Sequence, residues 1–187
     1  VYAHIFGGVG FSYLSASDVA TVIGDDFGIG IGLPTWSYGI RGGFRNILQV
    51  EYNIGKSDHD FNNNSIVEDI PNEVIPMDYS TNEIQFKLNP FFWKEEELSD
   101  GKSKAIFLIY GFGDVDWTDE AGDGFSGAST ILGLEYFKFS KNVSWSVSFK
   151  HYGIKFDDNT LNGNPLEQSI DASDYILEFK IGFGLGL

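Results

Sequence analysis

Three histidines are the side chains best suited to metal binding or proton transfer: His4, His59 and His151. No two of them have the spacing of paired metal ligands, and the chain contains no cysteine, so the sequence predicts no zinc site. His151 lies in the segment Phe-Lys-His-Tyr-Gly at 149–153, near the end of a predicted strand.

Carboxylates cluster in a glycine-containing segment, and calcium takes oxygen ligands at short alternating spacing in such loops. The candidate ligands are Asp114, Asp116, Asp119, Glu120 and Asp123. The match to an EF-hand loop is poor, because its twelfth position is Phe125 rather than glutamate. A solvated acidic loop is therefore the favoured interpretation, with Ca²⁺ or Mg²⁺ at the acidic loops as the alternative.

Composition excludes several classes of protein. The 187 residues carry a formal net charge of -15, and a chain this acidic has no electrostatic footprint for nucleic acid. Aromatic residues make up 16% of the chain, which argues against disorder. No run of about 18 apolar residues occurs, so the sequence predicts no transmembrane helix. The length is that of one domain, residues 1–187.

Apolar and polar residues alternate with period two along the whole chain, which predicts strands rather than helices. The C-terminal stretch is the clearest, with Phe179, Ile181 and Phe183 on one face and Lys180 and Gly182 on the other. Eight strands are predicted, over residues 1–14, 36–44, 47–55, 79–92, 104–117, 129–139, 143–156 and 174–187. The fifth is the least regular, because its start is apolar on both faces.

The connections between these strands alternate in length. Short ones are predicted at residues 45–46, 94–103 and 140–142, and long polar ones at 15–35, 56–78, 119–128 and 157–173. This alternation is typical of antiparallel up-and-down transmembrane β-barrels, here with four long external loops and three short periplasmic turns. Residues 27–33 alternate apolar residues with glycine, and could either extend the second strand up to Pro34 or form a strand of their own.

Side-chain volume decides which face of the predicted barrel points inward. An eight-stranded barrel has an interior just wide enough for side chains. Faces of Phe, Tyr, Leu and Ile would overfill it, whereas faces of Gly and Ser with a few long charged residues would fit. With the small and charged faces inward, charges of both signs are predicted to pair in the lumen: Arg41, Glu51, Glu83, Lys87, Glu135, Lys150, Glu178 and Lys180. The alternative is a soluble lipocalin-like barrel that holds an apolar ligand between inward apolar faces.

Tryptophans stand near the ends of the predicted strands. Aromatic rings with a polar group collect at both interfaces of a membrane. The sequence therefore predicts four residues of the membrane interface: Trp36, Trp93, Trp117 and Trp145.

The topology, the alternation and the last strand, Tyr-Ile-Leu-Glu-Phe-Lys-Ile-Gly-Phe-Gly-Leu-Gly-Leu at 175–187, resemble the small eight-stranded outer-membrane barrels typified by the OmpA transmembrane domain and OmpX. The resemblance covers essentially the whole chain, although Leu187 stands where such barrels usually end in Phe. It implies a location in the bacterial outer membrane, with membrane lipid and lipopolysaccharide as partners. The alternation of long and short connections and the apolar aromatic faces motivate the hypothesis of a role in envelope integrity, or in contacts with a protein partner through the acidic external loops.

The segment around His151 is similar to one in the outer-membrane lipid A deacylases, eight-stranded barrels that use a His, a Ser and an orienting acid. Those enzymes carry the serine two residues beyond the histidine, and this position is Gly153 here. A triad needs a nucleophile within reach of its base. A non-enzymatic barrel is therefore the leading hypothesis, and a lipid-modifying enzyme with His151 as base is the alternative.

Overall fold

In the computed structural model, the part of the chain that is described forms a closed antiparallel β-barrel of eight long strands. The described residues are 1–15, 30–44, 46–59, 61–63, 73–91, 102–140, 142–161, 164–167 and 169–186. The barrel strands are β1 (Tyr2–Ser15), β2 (Gly30–Phe44), β3 (Leu48–Asp58), β6 (Asp78–Leu88), β7 (Lys102–Thr118), β8 (Gly124–Ser140), β9 (Val143–Leu161) and β11 (Ile170–Gly186). Shorter strands accompany them: β4 (Phe61–Asn63) pairs with β5 (Glu73–Ile75), and β10 (Asn164–Leu166) pairs with the end of β9.

The predicted eight-stranded barrel is confirmed, and its closure fixes its dimensions. Each long strand pairs with its neighbours in sequence, and β11 pairs with β1. Following paired residues from Leu14 once around the barrel leads back to β1 at His4, ten residues nearer the N-terminus. With strands about 4.8 Å apart and a rise of about 3.3 Å per residue, this stagger tilts the strands by about 40° and places the backbone about 8 Å from the axis.

The strand β2 contains the stretch whose assignment the sequence left open. Residues 30–33 form the first part of β2, and the strand continues through Pro34. The register with β1 slips by one residue next to this proline, which is a β-bulge. Pairing with β3 begins only at Trp36. Pro34 therefore lies where β2 pairs with β1 alone, and no backbone N–H is required there for hydrogen bonds to β3. The described part of the stretch is thus an extension of β2, and residues 27–29 lie outside the described residues.

Both chain ends lie at one end of the barrel, here called the terminus end, and the opposite end is called the loop end. The connection between β7 and β8 at the loop end is shorter than predicted. Residues 124–128 belong to β8, because its ladder with β7 continues over them. The turn that remains, 119–123, is closed by the Asp119 carboxylate, whose Oδ1 accepts hydrogen bonds from the backbone N–H groups of Ala121 and Asp123, both at 2.9 Å.

Side chains on the strands alternate between an apolar outer face and a polar inner face. Ile5 is 66% exposed and Phe183 58%, whereas Gln49, Glu51 and Gln85 are completely buried in the lumen. Large apolar side chains cover the outside of all eight barrel strands as a continuous band, here called the apolar belt. The lipocalin-like alternative, which needs the apolar faces inside, is therefore wrong.

No helix within the described residues is long and apolar enough to cross a membrane.

Candidate functional site

The eight charged residues predicted for the lumen all point inward, and each is at most 2% exposed. Glu51 of β3 lies at the centre of this ionic network. Its carboxylate accepts hydrogen bonds from Lys180 Nζ at 2.5 Å and Lys87 Nζ at 2.7 Å. Arg41 Nη1 lies 3.8 Å from the same carboxylate. Three cations from three different strands thus converge on one acid.

A second carboxylate, that of Glu135 on β8, binds two of the same cations. Arg41 Nη1 donates to it at 3.2 Å and Lys87 Nζ at 2.6 Å. The Arg41 guanidinium also lies over two aromatic rings, 4.8 Å from the centroid of Phe6 and 5.3 Å from that of Phe137. Cation–π contacts of this kind strengthen when the cation is removed from water, so the rings help to hold a buried arginine.

The rest of the network lies nearer the loop end. Lys150 Nζ is 3.3 Å from Glu178 and 3.7 Å from Glu83. Lys180 links this half to Glu51, because its Nζ is also 3.2 Å from Glu178. The Tyr152 hydroxyl donates to Glu83 at 2.7 Å. The four lumen cations therefore each contact two or more of the four glutamates, which offsets the cost of burying charge.

Glycines on the inner faces leave the space that these long side chains occupy. A Cβ on Gly8 would lie 2.8 Å from Cγ of Lys180, and a Cβ on Gly133 would lie 3.3 Å from Cγ of Lys150. Real Cβ atoms rarely or never approach so closely. The small residues of the inner faces are therefore needed by the network itself, as the volume argument requires.

Apolar clusters close both ends of the lumen. At the terminus end, Tyr2, Ala105, Phe107 and Phe137 pack together with Phe139 beside them. The cluster at the loop end, here called the loop-end plug, is larger and consists of Leu14, Met77, Tyr79, Ile109, Val115, Trp117, Phe125, Ile131, Tyr152, Ile154, Phe156, Ile170, Ala172 and Ile176. The described lumen is thus a charged layer between two apolar layers.

The prediction that Trp117 lies at the membrane interface is wrong. The residue is 1% exposed and points into the loop-end plug, where its ring stacks on Phe125 with centroids 5.3 Å apart. Its Nε1 donates to the backbone carbonyl of His59 at 2.9 Å. The reason is that the polarity of β7 inverts beyond the apolar belt, where Asp114 and Asp116 lie outside and Trp117 lies inside, so proximity to a predicted loop does not reveal which face the tryptophan occupies.

The other tryptophans have different surroundings. Trp36 is on the outer face of β2 and 59% exposed. Trp145 is on the outer face of β9 near the terminus end, where its ring lies 5.4 Å from Tyr136 and 6.4 Å from Phe179 between centroids. Trp93 lies outside the described residues. Trp36 and Trp145 therefore face the surroundings of the barrel rather than its lumen.

A second polar cluster, which the sequence did not predict, lies inside the loop-end plug. Ser12 donates from its Oγ to Asp174 Oδ1 at 2.6 Å, and the same Oγ lies 2.9 Å from His59 Nε2. All three residues are at most 1% exposed. The alternation of the sequence indicates that Ser12 lies on the inner face of β1 and Asp174 on the inner face of β11. It does not indicate that these residues and His59 are in contact, because the three are far apart in the chain.

This cluster contains the three residue types of a hydrolytic triad but lacks its geometry. In such a triad the acid bonds to the imidazole nitrogen that does not face the serine, and so orients the base. Here the Asp174 carboxylate bonds to the serine instead. The Ser12 hydroxyl is moreover enclosed by the barrel wall and the loop-end plug. The arrangement therefore supports a structural or proton-holding role rather than acyl transfer.

His151, the candidate general base, lies on the outer face of β9. Its register partners are Leu132 on β8 and Tyr175 on β11, and its ring lies 4.8 Å from that of Tyr175 between centroids. The structure therefore places His151 at the aromatic edge of the apolar belt that lies toward the loop end. It does not bring His151 to Ser12 or Asp174, which face the lumen.

The structure does not bring the five candidate calcium ligands together as a metal-binding group. Asp114 is exposed on the outer face of β7, and Asp116 follows it on the same face. The Asp119 carboxylate is used within the turn, and Glu120 is exposed. Among the described residues there is no group of three or more acids or histidines arranged to hold a metal ion. The calcium prediction is therefore not supported by the arrangement of these side chains.

No family model matches the chain, and no curated protein matches it in sequence. Solved structures of small outer-membrane barrels do. Neisserial surface protein A (NspA) is similar with a TM-score of 0.55 at 8% sequence identity, over 97% of this chain and 96% of that one. Ail, the attachment invasion locus protein of Yersinia pestis, has a TM-score of 0.49 at 12% identity, over 98% of both chains.

At such identities the likeness concerns the fold alone, and the inverted distribution of polarity agrees with it. Outer-membrane barrels carry an apolar band outside and polar residues inside, with short periplasmic turns and longer external connections. The terminus end is then periplasmic and the loop end external. The chain has the fold of the small eight-stranded transmembrane β-barrels of bacterial outer membranes.

Proposed function

We propose that this chain is a non-conducting outer-membrane barrel that presents an acidic, strand-built surface for contact with a partner outside the cell. One observation carries the proposal: the lumen is filled, while several strands continue beyond the apolar belt with polar outer faces. A filled lumen leaves the external surface as the part of the molecule open to partners. Fold alone would not identify such a role, because barrels of this size serve many functions.

The change of polarity occurs within individual strands. On β7 the outer face changes from Tyr110 and Phe112 to Asp114 and Asp116. The outer faces beyond the belt comprise Lys56 and Asp58 on β3, Asp78, Ser80 and Asn82 on β6, Asp114 and Asp116 on β7, Ser126, Ala128 and Thr130 on β8, Lys155 and Asp157 on β9, and Asp171 and Ser173 on β11. From Phe112 to the end of β7 the strand rises by about 15 Å along the barrel axis.

The charge of this surface indicates the chemistry of its partner. Acidic residues outnumber basic ones on the described outer faces beyond the belt, in a chain whose net charge is -15. Complementary potentials steer association and suppress wrong partners. A basic protein surface is the partner that this supports best, and lipopolysaccharide phosphates would need divalent cations as bridges. The apolar belt itself is proposed to contact membrane lipid.

The proposal is tested with cells that display the barrel. Cysteines replacing Asp116 or Asp157 should react with a membrane-impermeant maleimide on intact cells, and a cysteine replacing Asn142 at the terminus end should react only after permeabilisation. Adhesion to an immobilised lysine-rich peptide should be salt-sensitive and should fall when Asp114, Asp116 and Asp157 are changed to Asn. Equal adhesion by the neutralised variant would overturn the proposed role. Stepwise conductance of the purified barrel in planar bilayers would contradict the filled lumen.

A further inference from the structure

The cluster of Ser12, His59 and Asp174 differs from the ionic network in its charge balance. Within the described residues, the buried cations of the lumen are Arg41, Lys87, Lys150 and Lys180, and the buried carboxylates are Glu51, Glu83, Glu135, Glu178 and Asp174. The four glutamates are matched by the four cations. Asp174 is the fifth carboxylate, and the nearest group that can add a positive charge is the His59 imidazole, one serine away.

A single proton would balance this excess. We propose that Ser12, His59 and Asp174 share one proton beyond those of the serine hydroxyl and the neutral imidazole, and that this proton locks the base of the external β3–β6 connection onto the barrel wall. When it resides on the ring, both ring nitrogens are protonated, and His59 donates from Nε2 to Ser12 Oγ, which in turn donates to Asp174 Oδ1. The chain of donors runs in one direction and ends on the carboxylate. Buried charges are tolerated when they are paired and hydrogen-bonded in this way.

Among the described residues, the other groups that face the cluster do not supply the missing charge. From β6, the Tyr79 ring packs edge-on against His59 with centroids 5.1 Å apart, and its hydroxyl faces Asp174. From β9, Tyr152 and Lys150 interact electrostatically with the same carboxylate. Lys150 is already bound between Glu83 and Glu178. The side chains of β7 and β8 in the loop-end plug are apolar, as Val115 and Ile131 illustrate.

His59 occupies the position from which the connection is best controlled. It follows the last residue of β3, and its backbone N–H donates to Met77 O at 3.1 Å, just before β6 begins. Its backbone carbonyl accepts from Trp117 Nε1 at 2.9 Å. The backbone thus closes the base of the connection, while the side chain ties this base to β1 and, through Ser12, to β11.

Nuclear magnetic resonance of the intact barrel in lipid tests the proton directly. Samples carry ¹⁵N in histidine and ¹³C in the aspartate carboxyl groups, and spectra are recorded at pH 7. One proton is expected on the pair, seen either as an imidazolium beside an ionised Asp174 or as a neutral ring beside a protonated Asp174. A neutral ring beside an ionised carboxylate, or both groups protonated, would overturn the proposal. In D174N the ring should be neutral, and a persistent imidazolium would also overturn it.

Hydrogen exchange tests the lock. In His59→Gln the Trp117 indole and the residue 59 amide should exchange about tenfold faster, the effect of losing one buried hydrogen bond worth about 1.4 kcal/mol. Ser12→Ala, which leaves both ionisable groups in place, should have the same effect and serves if the first variant does not fold. The matched control is His4→Gln, because His4 is also buried and lies 2.9 Å from Ser144 Oγ at the terminus end. Unchanged exchange in Ser12→Ala, or equal acceleration at the loop end in His4→Gln, would refute the lock.

Discussion

Replacing Glu51 by Gln should destabilise the barrel more than any surface charge change, because it removes the acid on which three buried cations converge. Removing one partner of a buried ion pair costs about 3–5 kcal/mol. Each cation keeps a second carboxylate, however: Arg41 and Lys87 retain Glu135, and Lys180 retains Glu178. The expected loss in the free energy of unfolding is therefore at the lower end, about 3 kcal/mol.

A double-mutant cycle measures the coupling energy between Glu51 and Lys180 apart from the other contacts of either residue. Combining Glu51→Gln with Lys180→Met restores the balance of charge, so the double variant should be about 1–3 kcal/mol more stable than the sum of the single variants predicts. The matched control is Lys155 and Asp157 on β9, which are 3.3 Å apart but whose side chains are both 60% exposed. Solvent screening reduces the coupling of such a pair to about 0–1 kcal/mol.

The assay is reversible urea unfolding of the barrel in lipid vesicles, followed by tryptophan fluorescence and by the mobility of the folded form in unheated gels. Equal denaturant slopes for all variants are required before midpoints are converted to free energies. A coupling between Glu51 and Lys180 no larger than that of the surface pair would refute the reasoning, since it would mean that water reaches the lumen and screens the network.

Two further predictions follow from the packing of the wall and the loop-end plug. Gly39→Ala should lower the free energy of unfolding by about 1–3 kcal/mol or prevent folding, because its Cβ would clash with the Tyr52 carbonyl oxygen. Gly153→Ala is the control and should be nearly neutral in the same unfolding assay, because a Cβ there would have no atom within 4 Å. Trp117, in a variant that lacks the other tryptophans, should resist both aqueous quenchers and brominated lipid, while Trp36 in the corresponding variant should be quenched by brominated lipid. Strong quenching of Trp117 would show that the plug is open.

Which face of each strand points into the lumen could be predicted, because the volume and charge of the side chains differ between the two faces along most strands. Arg41, Glu51 and Lys87 are long and charged and lie in phase with glycine and serine, so a small lumen is the face that accommodates them. The specific partners were not predictable. Glu135 and Lys87 meet across the barrel, and a contact of that kind depends on the stagger of all the strands rather than on local sequence.

The errors have equally physical causes. The position of Trp117 is predicted wrongly because the polarity of β7 inverts beyond the apolar belt: Asp114 and Asp116 lie on the outer face, and Trp117 lies on the inner face. The sequence predicts a loop over residues 124–128, where Gly and Ala have low strand propensity. Ladders with β7 on one side and β9 on the other hold them extended nevertheless. Tertiary pairing here outweighs local preference.

The layered lumen also explains why a polar cluster inside the loop-end plug is of use. Burial of Trp117, Phe125 and Phe156 stabilises the plug but is not directional, so apolar packing alone would leave the base of the β3–β6 connection free to settle in more than one way. The donor chain from His59 to Asp174 permits one arrangement, because a displaced base would leave a carboxylate buried without its partner. Directional bonds of this kind fix the geometry of a structure even where they add little to its stability.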